Sequence, residues 1–178
     1  ACDVLFDRWA AEGQLTEQKR WERIKLAAQA RNYALANTLI KGLNTLGPQG
    51  RLLVDVAQKP ELLNNPGRFT PVNEAMSDVV SLGLRRLARQ DPERAMALLD
   101  DYANRMHFSR DEKVAIAREI GLTLARRYDP RALGLMTQYD PELRDNTVSE
   151  WRLRLLLRLG RWEDGYELTK RLPQDLAT

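Results

Sequence analysis

The chain has 178 residues, 43% of them hydrophobic and 30% charged, the balance of a globular protein rather than a disordered or fibrous one. Charges interrupt every apolar segment within about a dozen positions, so none reaches the roughly 18 residues that a membrane span requires. The 28 basic residues nearly cancel against 25 acidic ones to leave +3, which gives little support to a polyanionic partner. The first residues lack a charged stretch followed by an apolar one, so a secretory signal is expected to be removed or to lie upstream of residue 1.

Leucine, alanine and arginine dominate, β-branched residues are few, and apolar positions recur at helical spacing, which predicts an all-α chain. Taken in order, the pattern predicts helices near residues 3–12, 16–30, 33–43, 48–58, 71–90, 92–106, 110–127, 130–138, 147–159 and 162–172. Between the fourth and fifth lies the stretch richest in breakers, 59–70 with Pro60, Asn64, Asn65, Pro66 and Gly67, read as a surface loop. Thr70-Pro71 then predicts a helix start, as do Asp91-Pro92, Asp129-Pro130 and Asp140-Pro141, each placing a capping side chain before a proline whose missing N–H is no loss. Ser109 and Glu112 have the spacing of a reciprocal capping box, and Thr147 with Glu150 repeats it. In Trp151–Leu159, leucines 153, 155, 156, 157 and 159 cover most of the circumference, so this helix is expected to need neighbours on two sides.

Short connections make sequential helices antiparallel neighbours, and the resulting hairpins of roughly 30 to 40 residues are the size class of helical repeats. The expected architecture is a superhelix, or solenoid, of stacked antiparallel helical hairpins. It is read as one segment over 1–178, with sub-stacks near 1–60 and 70–178. No strict consensus recurs, although Gly160 to Gly165 resembles the turn of a tetratricopeptide-like hairpin.

The search for chemistry finds little. One histidine, His107, and one cysteine, Cys2, supply neither a triad nor a zinc site, and no glycine-rich phosphate cradle is present, so no catalytic, metal-binding or cofactor-binding residue is expected. The adjacent acids Asp100-Asp101 and Glu163-Asp164 point about 100° apart on a helix and read as solvated faces. Trp9, Trp21, Trp151 and Trp162 read as packing residues, with Trp21 half exposed beside Lys25. Arg154, Arg158 and Arg161 fall at i, i+4 and i+7. They form either a basic stripe able to face a polyanion or glycan, or an exposed face on which Arg154 pairs with Glu150.

Two stretches carry a family resemblance. ACDVLFDRWAAEG, followed by WERIKLAAQARN, and the closing EWRLRLLLRLGRWEDGYELTKRLP are similar to the soluble lytic transglycosylases of Gram-negative bacteria, and Ala88-Arg89-Gln90-Asp91 extends the match between them. The resemblance implies part of the α-superhelical region of such an enzyme, a U closed into a ring beneath a lysozyme-like domain. The family's catalytic glutamate stands in a Glu-Ser pair, and no glutamate here precedes serine; Gly134 to Gln138 only superficially matches the family's Gly-Leu-Met-Gln segment. The implied chain is therefore a non-catalytic scaffold of a periplasmic enzyme that cleaves peptidoglycan glycan strands with a 1,6-anhydro product. Its implied partners are glycan strands and cell-wall synthesis proteins, with no nucleic acid, membrane span or cofactor. The resemblance also implies that Cys2 is bridged to a cysteine outside this chain, a buried structural thiol being the alternative. The competing readings are a tetratricopeptide-like adaptor that binds peptides and an RNA-binding solenoid.

Overall fold

The computed structural model describes residues 16–172, so the helix expected over 3–12, Trp9 and Cys2 lie outside the described residues. The all-α expectation is borne out: the described residues form nine α-helices and no strand. The chain divides into two compact units, Ala1–Gly83 and Leu84–Thr178.

In the first unit, α1 (Glu17–Gln29) is capped by the Thr16 hydroxyl, which accepts from the Lys19 amide, and α2 (Tyr33–Ile40) by Asn32, which accepts from Leu35. α3 (Gly47–Gln58) follows and packs on both. Glu17 ties the α2–α3 loop down: its Oε1 accepts from the amides of Asn44, Thr45 and Leu46 at 3.1, 2.8 and 3.0 Å. The breaker-rich stretch is more packed than a surface loop, because it winds into two short 3₁₀ turns, Pro60–Asn64 and Pro66–Arg68, with Leu63 and Phe69 buried. Thr70-Pro71 does not open a helix. Its peptide bond is cis, and α4 (Glu74–Gln90) starts three residues later, where the Asn73 side chain accepts from Met76 at 2.8 Å. Trp21 is not half exposed but 1% exposed, because Asp78 on α4 accepts from its indole N–H at 2.7 Å and from Lys25 at 2.9 Å.

α4 continues into the second unit, followed by α5 (Pro92–Ala103), α6 (Arg110–Arg126), α7 (Arg131–Tyr139), α8 (Asn146–Arg158) and α9 (Trp162–Arg171). The Asp91-Pro92 start is observed, with Asp91 accepting from Arg94 at 2.9 Å, and so is the full Ser109–Glu112 capping box. α6 packs on α5, α7 and α8, as α1 packs on α2 and α3. Contact with both the next helix and the next but one is the neighbour pattern of stacked hairpins.

Three local expectations fail between α7 and α9. Asp140-Pro141 makes a turn rather than a helix start, with Asp140 accepting from the Arg144 and Asp145 amides at 2.9 and 3.2 Å. The cap of α8 is Asp145, which accepts from Val148 at 3.1 Å, not Thr147; an ionised carboxylate at a helix N-terminus outcompetes a hydroxyl. Leucine does not cover α8 all round either: Leu157 and Leu159 are each 41% exposed, and Arg152 takes an interior position, its Nη1 donating to the Asp140 carbonyl at 3.0 Å. Gly160 (φ +70°) closes α8 in the left-handed conformation that glycine adopts without strain.

Candidate functional site

Within the second unit, α6, the end of α7 and the start of α8 enclose a half-open cavity of about 530 Å³. Helical spacing puts Arg110, Val114, Ala117 and Arg118 on the one face of α6 that lines it. Met136 and Tyr139 enter from α7, the 140–145 loop supplies one wall, and Asn146, Thr147 and Val148 come from the first turn of α8. The floor is apolar, since Ala117, Met136 and Val148 are buried.

The loop wall is fixed from several sides. Leu143 holds a positive φ of 57° and is fully buried against Leu156 and Leu168, so Glu142 and Arg144 on either side of it are thrown outward, where they pair with each other. From behind, Arg152 donates to the Asp140 carbonyl and Arg171 to the Pro141 carbonyl at 2.8 Å. In front, Arg118 donates to Asp145. Burial works to raise the Asp145 carboxyl, but that guanidinium and the Val148 and Thr147 amides outweigh it and hold the carboxyl below its ordinary value. Burial, with the like charge of Arg171, lowers the Arg152 guanidinium, and Asp140 opposes them. The cavity is thus preformed, with rigid walls and a rim of both charge signs.

The residues singled out in the sequence do not converge on it. Arg154 pairs with Glu150 at 3.4 Å and stands 5.1 Å over the Trp151 ring, Arg158 stands 5.3 Å over Tyr128, and Arg161 pairs with Asp164 at 2.7 Å. His107 is exposed, and so are Asp100 and Glu163. Trp162 is 65% exposed, against the expectation that it packs, because the face of α9 turned to α8 carries Gly165 and Leu168 instead. Among the described residues no cluster of His, Cys, Asp or Glu could hold a metal ion, and no helix is long and apolar enough to cross a membrane.

Sequence reasoning missed the cavity because its walls come from segments up to 38 residues apart, Arg110 to Val148. The one local signal is the run Tyr139 to Asn146, where proline and alternating charges interrupt the apolar spacing, and its Asp140-Pro141 pair has the signature of a helix start.

Comparison with known proteins gives two kinds of match. Over 114 residues, 63% of this chain, it is 27% identical to the soluble lytic murein transglycosylases of Escherichia coli K12 and of Escherichia coli O157:H7. An X-ray structure of an inactive mutant of the lytic transglycosylase Slt from Pseudomonas aeruginosa matches 99% of this chain at 67% identity with a TM-score of 0.96. The resemblance carried by the opening and closing motifs is borne out. The chain spans 18% of the length of the curated relatives and 29% of the solved chain, so it corresponds to a partial helical segment of them. No family model matches it.

Proposed function

We propose that this chain, a partial helical segment of the lytic transglycosylase kind, is a non-catalytic scaffold of an enzyme that cleaves murein glycan strands between N-acetylmuramic acid and N-acetylglucosamine, leaving a 1,6-anhydro end. The observation that carries the reading is agreement in fold and sequence along nearly the whole chain with a lytic transglycosylase of which it spans under a third. The work of such a segment is geometric. Stacked helices make a stiff wall, and a stiff wall restricts which strands reach a catalytic centre elsewhere in the longer protein. That centre acts on peptidoglycan, which sets the compartment as the periplasm and makes cell-wall synthesis proteins the natural partners.

Within each unit, the packing supports a stiff stack rather than a mobile arm. The Trp21–Asp78–Lys25 group in the first unit, and the Leu143, Leu156 and Leu168 cluster in the second, join elements distant in sequence through buried contacts. The test is incubation of the purified chain with sacculi. No anhydromuropeptide should be released, and any release above a boiled control contradicts the scaffold reading. In the longer enzyme, Leu156→Asp should depress digestion of intact sacculi more than cleavage of short soluble muropeptides; equal loss on both would contradict a role in strand access.

A further inference from the structure

We infer that the cavity between α6, α7 and α8 binds a short zwitterionic peptide, such as the peptide that murein strands carry. The inference deepens the scaffold reading and rests on it for the natural source of the peptide, but not for the chemistry.

Size is the first constraint. About 530 Å³ lies within the roughly 300–1,000 Å³ of small-ligand pockets, which admits a few residues of an extended chain and excludes a folded partner. The floor is the second. Val114, Ala117, Met136 and Val148 present methyl and thioether surface suited to an aliphatic side chain, whereas a sugar ring would want a flat aromatic platform, and Tyr139 is the one aromatic in the lining. The rim is the third and decides the charge of the ligand. Arg118 and Asp145 neutralise each other, and Asp140 already accepts from two backbone amides, so the charge that a ligand meets is set mainly by other residues.

The side chains of Arg110 and Asp111 have no hydrogen-bond or ion-pair partner among the described residues, and both residues line the cavity. The Arg144–Glu142 pair beside them is solvent-exposed, so exchanging it for ligand contacts costs little. The rim therefore offers two guanidinium groups to a carboxylate and two carboxylates to an ammonium group, a complement to a ligand bearing both. A purely anionic or purely cationic ligand would leave half of it opposed. The wall is braced by Arg152 and Arg171 before any ligand arrives, so binding spends little on ordering the site.

The experiment is a titration of the full chain, followed by amide chemical shifts, with three probes: Ala-Glu-Lys-Ala with free termini, its N-acetylated and C-amidated Ala-Gln-Met-Ala counterpart, and chitotetraose. The charged tetrapeptide should saturate with a dissociation constant of about 1 mM or below, shifting amides of α6 and of 140–148, and the neutral one should bind at least about tenfold more weakly. Thr147→Trp, which fills the mouth from an exposed position, and Arg110→Glu, which removes an unpaired cation, should each weaken the charged peptide at least about tenfold. Three outcomes would overturn the inference: no saturation, chitotetraose binding the same amides as tightly, or both variants binding like the wild type with unchanged circular dichroism. Absence of peptide binding leaves the scaffold reading standing, and release of anhydromuropeptide by the chain would sink that reading without touching the cavity.

Discussion

At the scale of single residues, two carboxylates decide more than any other side chain of the first unit. Asp78 is the acceptor for the buried Trp21 indole at 2.7 Å and shares Lys25 with Glu22. Burial works against the Lys25 ammonium, but the two carboxylates prevail and raise its pKa. Asp78→Ala leaves the indole N–H without a partner in the interior, which should cost about 1–3 kcal/mol; Asp78→Asn keeps an acceptor and should cost less. Urea midpoints at unchanged slope measure both, and an alanine variant as stable as the wild type would mean that water replaces Asp78. Glu17 acts on the backbone instead. The amides of Leu46 and Thr45, then that of Asn44, hold its carboxyl below its ordinary 4.5. Because the folded value is the lower one, its contribution is complete above the ordinary value and disappears as pH falls through the folded value. Glu17→Gln should therefore lower the urea midpoint at about pH 7, and the gap to wild type should narrow at about pH 3. A gap that stays constant with pH would show that the charge is irrelevant.

At the scale of elements, two helical glycines have opposite roles. On α4, a Cβ at Gly83 would press into Val56 Cγ1, well inside contact distance, and lie 3.0 Å from Leu63 Cδ1. Val56 is fully buried and its branched side chain has one comfortable rotamer, so it cannot swing aside. Overpacking costs about 1–3 kcal/mol, which exceeds the roughly 1 kcal/mol that alanine gains over glycine in a helix, so Gly83→Ala should lower Tm. On α7 a Cβ at Gly134 meets nothing within 4 Å, and Gly134→Ala should raise Tm by an amount corresponding to about 0.5–1 kcal/mol. Calorimetry on the pair checks both signs, and two shifts in the same direction would refute the packing argument. The same contrast explains which elements were legible. Asp91-Pro92 and the Ser109–Glu112 box depend on bonds three residues apart, which a sequence displays directly. Asp140-Pro141 has the same local signature. There, however, Leu143 plugs into the core and Arg152 captures the Asp140 carbonyl from 12 residues away, and those contacts, invisible in a local window, make it a turn. Arg152 is invisible in the same way: nothing in its local window shows that its buried guanidinium holds the loop.

At the scale of the whole molecule, charge placement settles what the count of 28 against 25 leaves open. Seven arginines are already paired with carboxylates: Arg89 with Glu119, Arg118 with Asp145, Arg127 with Glu93, Arg131 with Asp129, Arg144 with Glu142, Arg154 with Glu150 and Arg161 with Asp164. The expected i, i+4, i+7 stripe does not form on one helix, because α8 ends at Arg158 and Arg161 lies past the Gly160 turn at the start of α9; Arg154 and Arg161 each pair locally and Arg158 stacks on Tyr128. The all-α class was legible because it follows from spacing along each helix. The pairing across helices was not, nor was the cavity, because both need the third dimension. A polyanion must compete with carboxylates for each of these seven arginines, so they release few counterions on its binding. Retention on heparin should be weak, with a log–log salt slope corresponding to no more than about 2–3 phosphates. Replacing Arg154, Arg158 and Arg161 together by glutamate should change that slope by less than about one, since the wild-type charges are already spent on neighbours. A steep wild-type slope that the triple variant abolishes would show instead that the stripe is a polyanion site, and that the ion pairs holding it in the free protein open on contact.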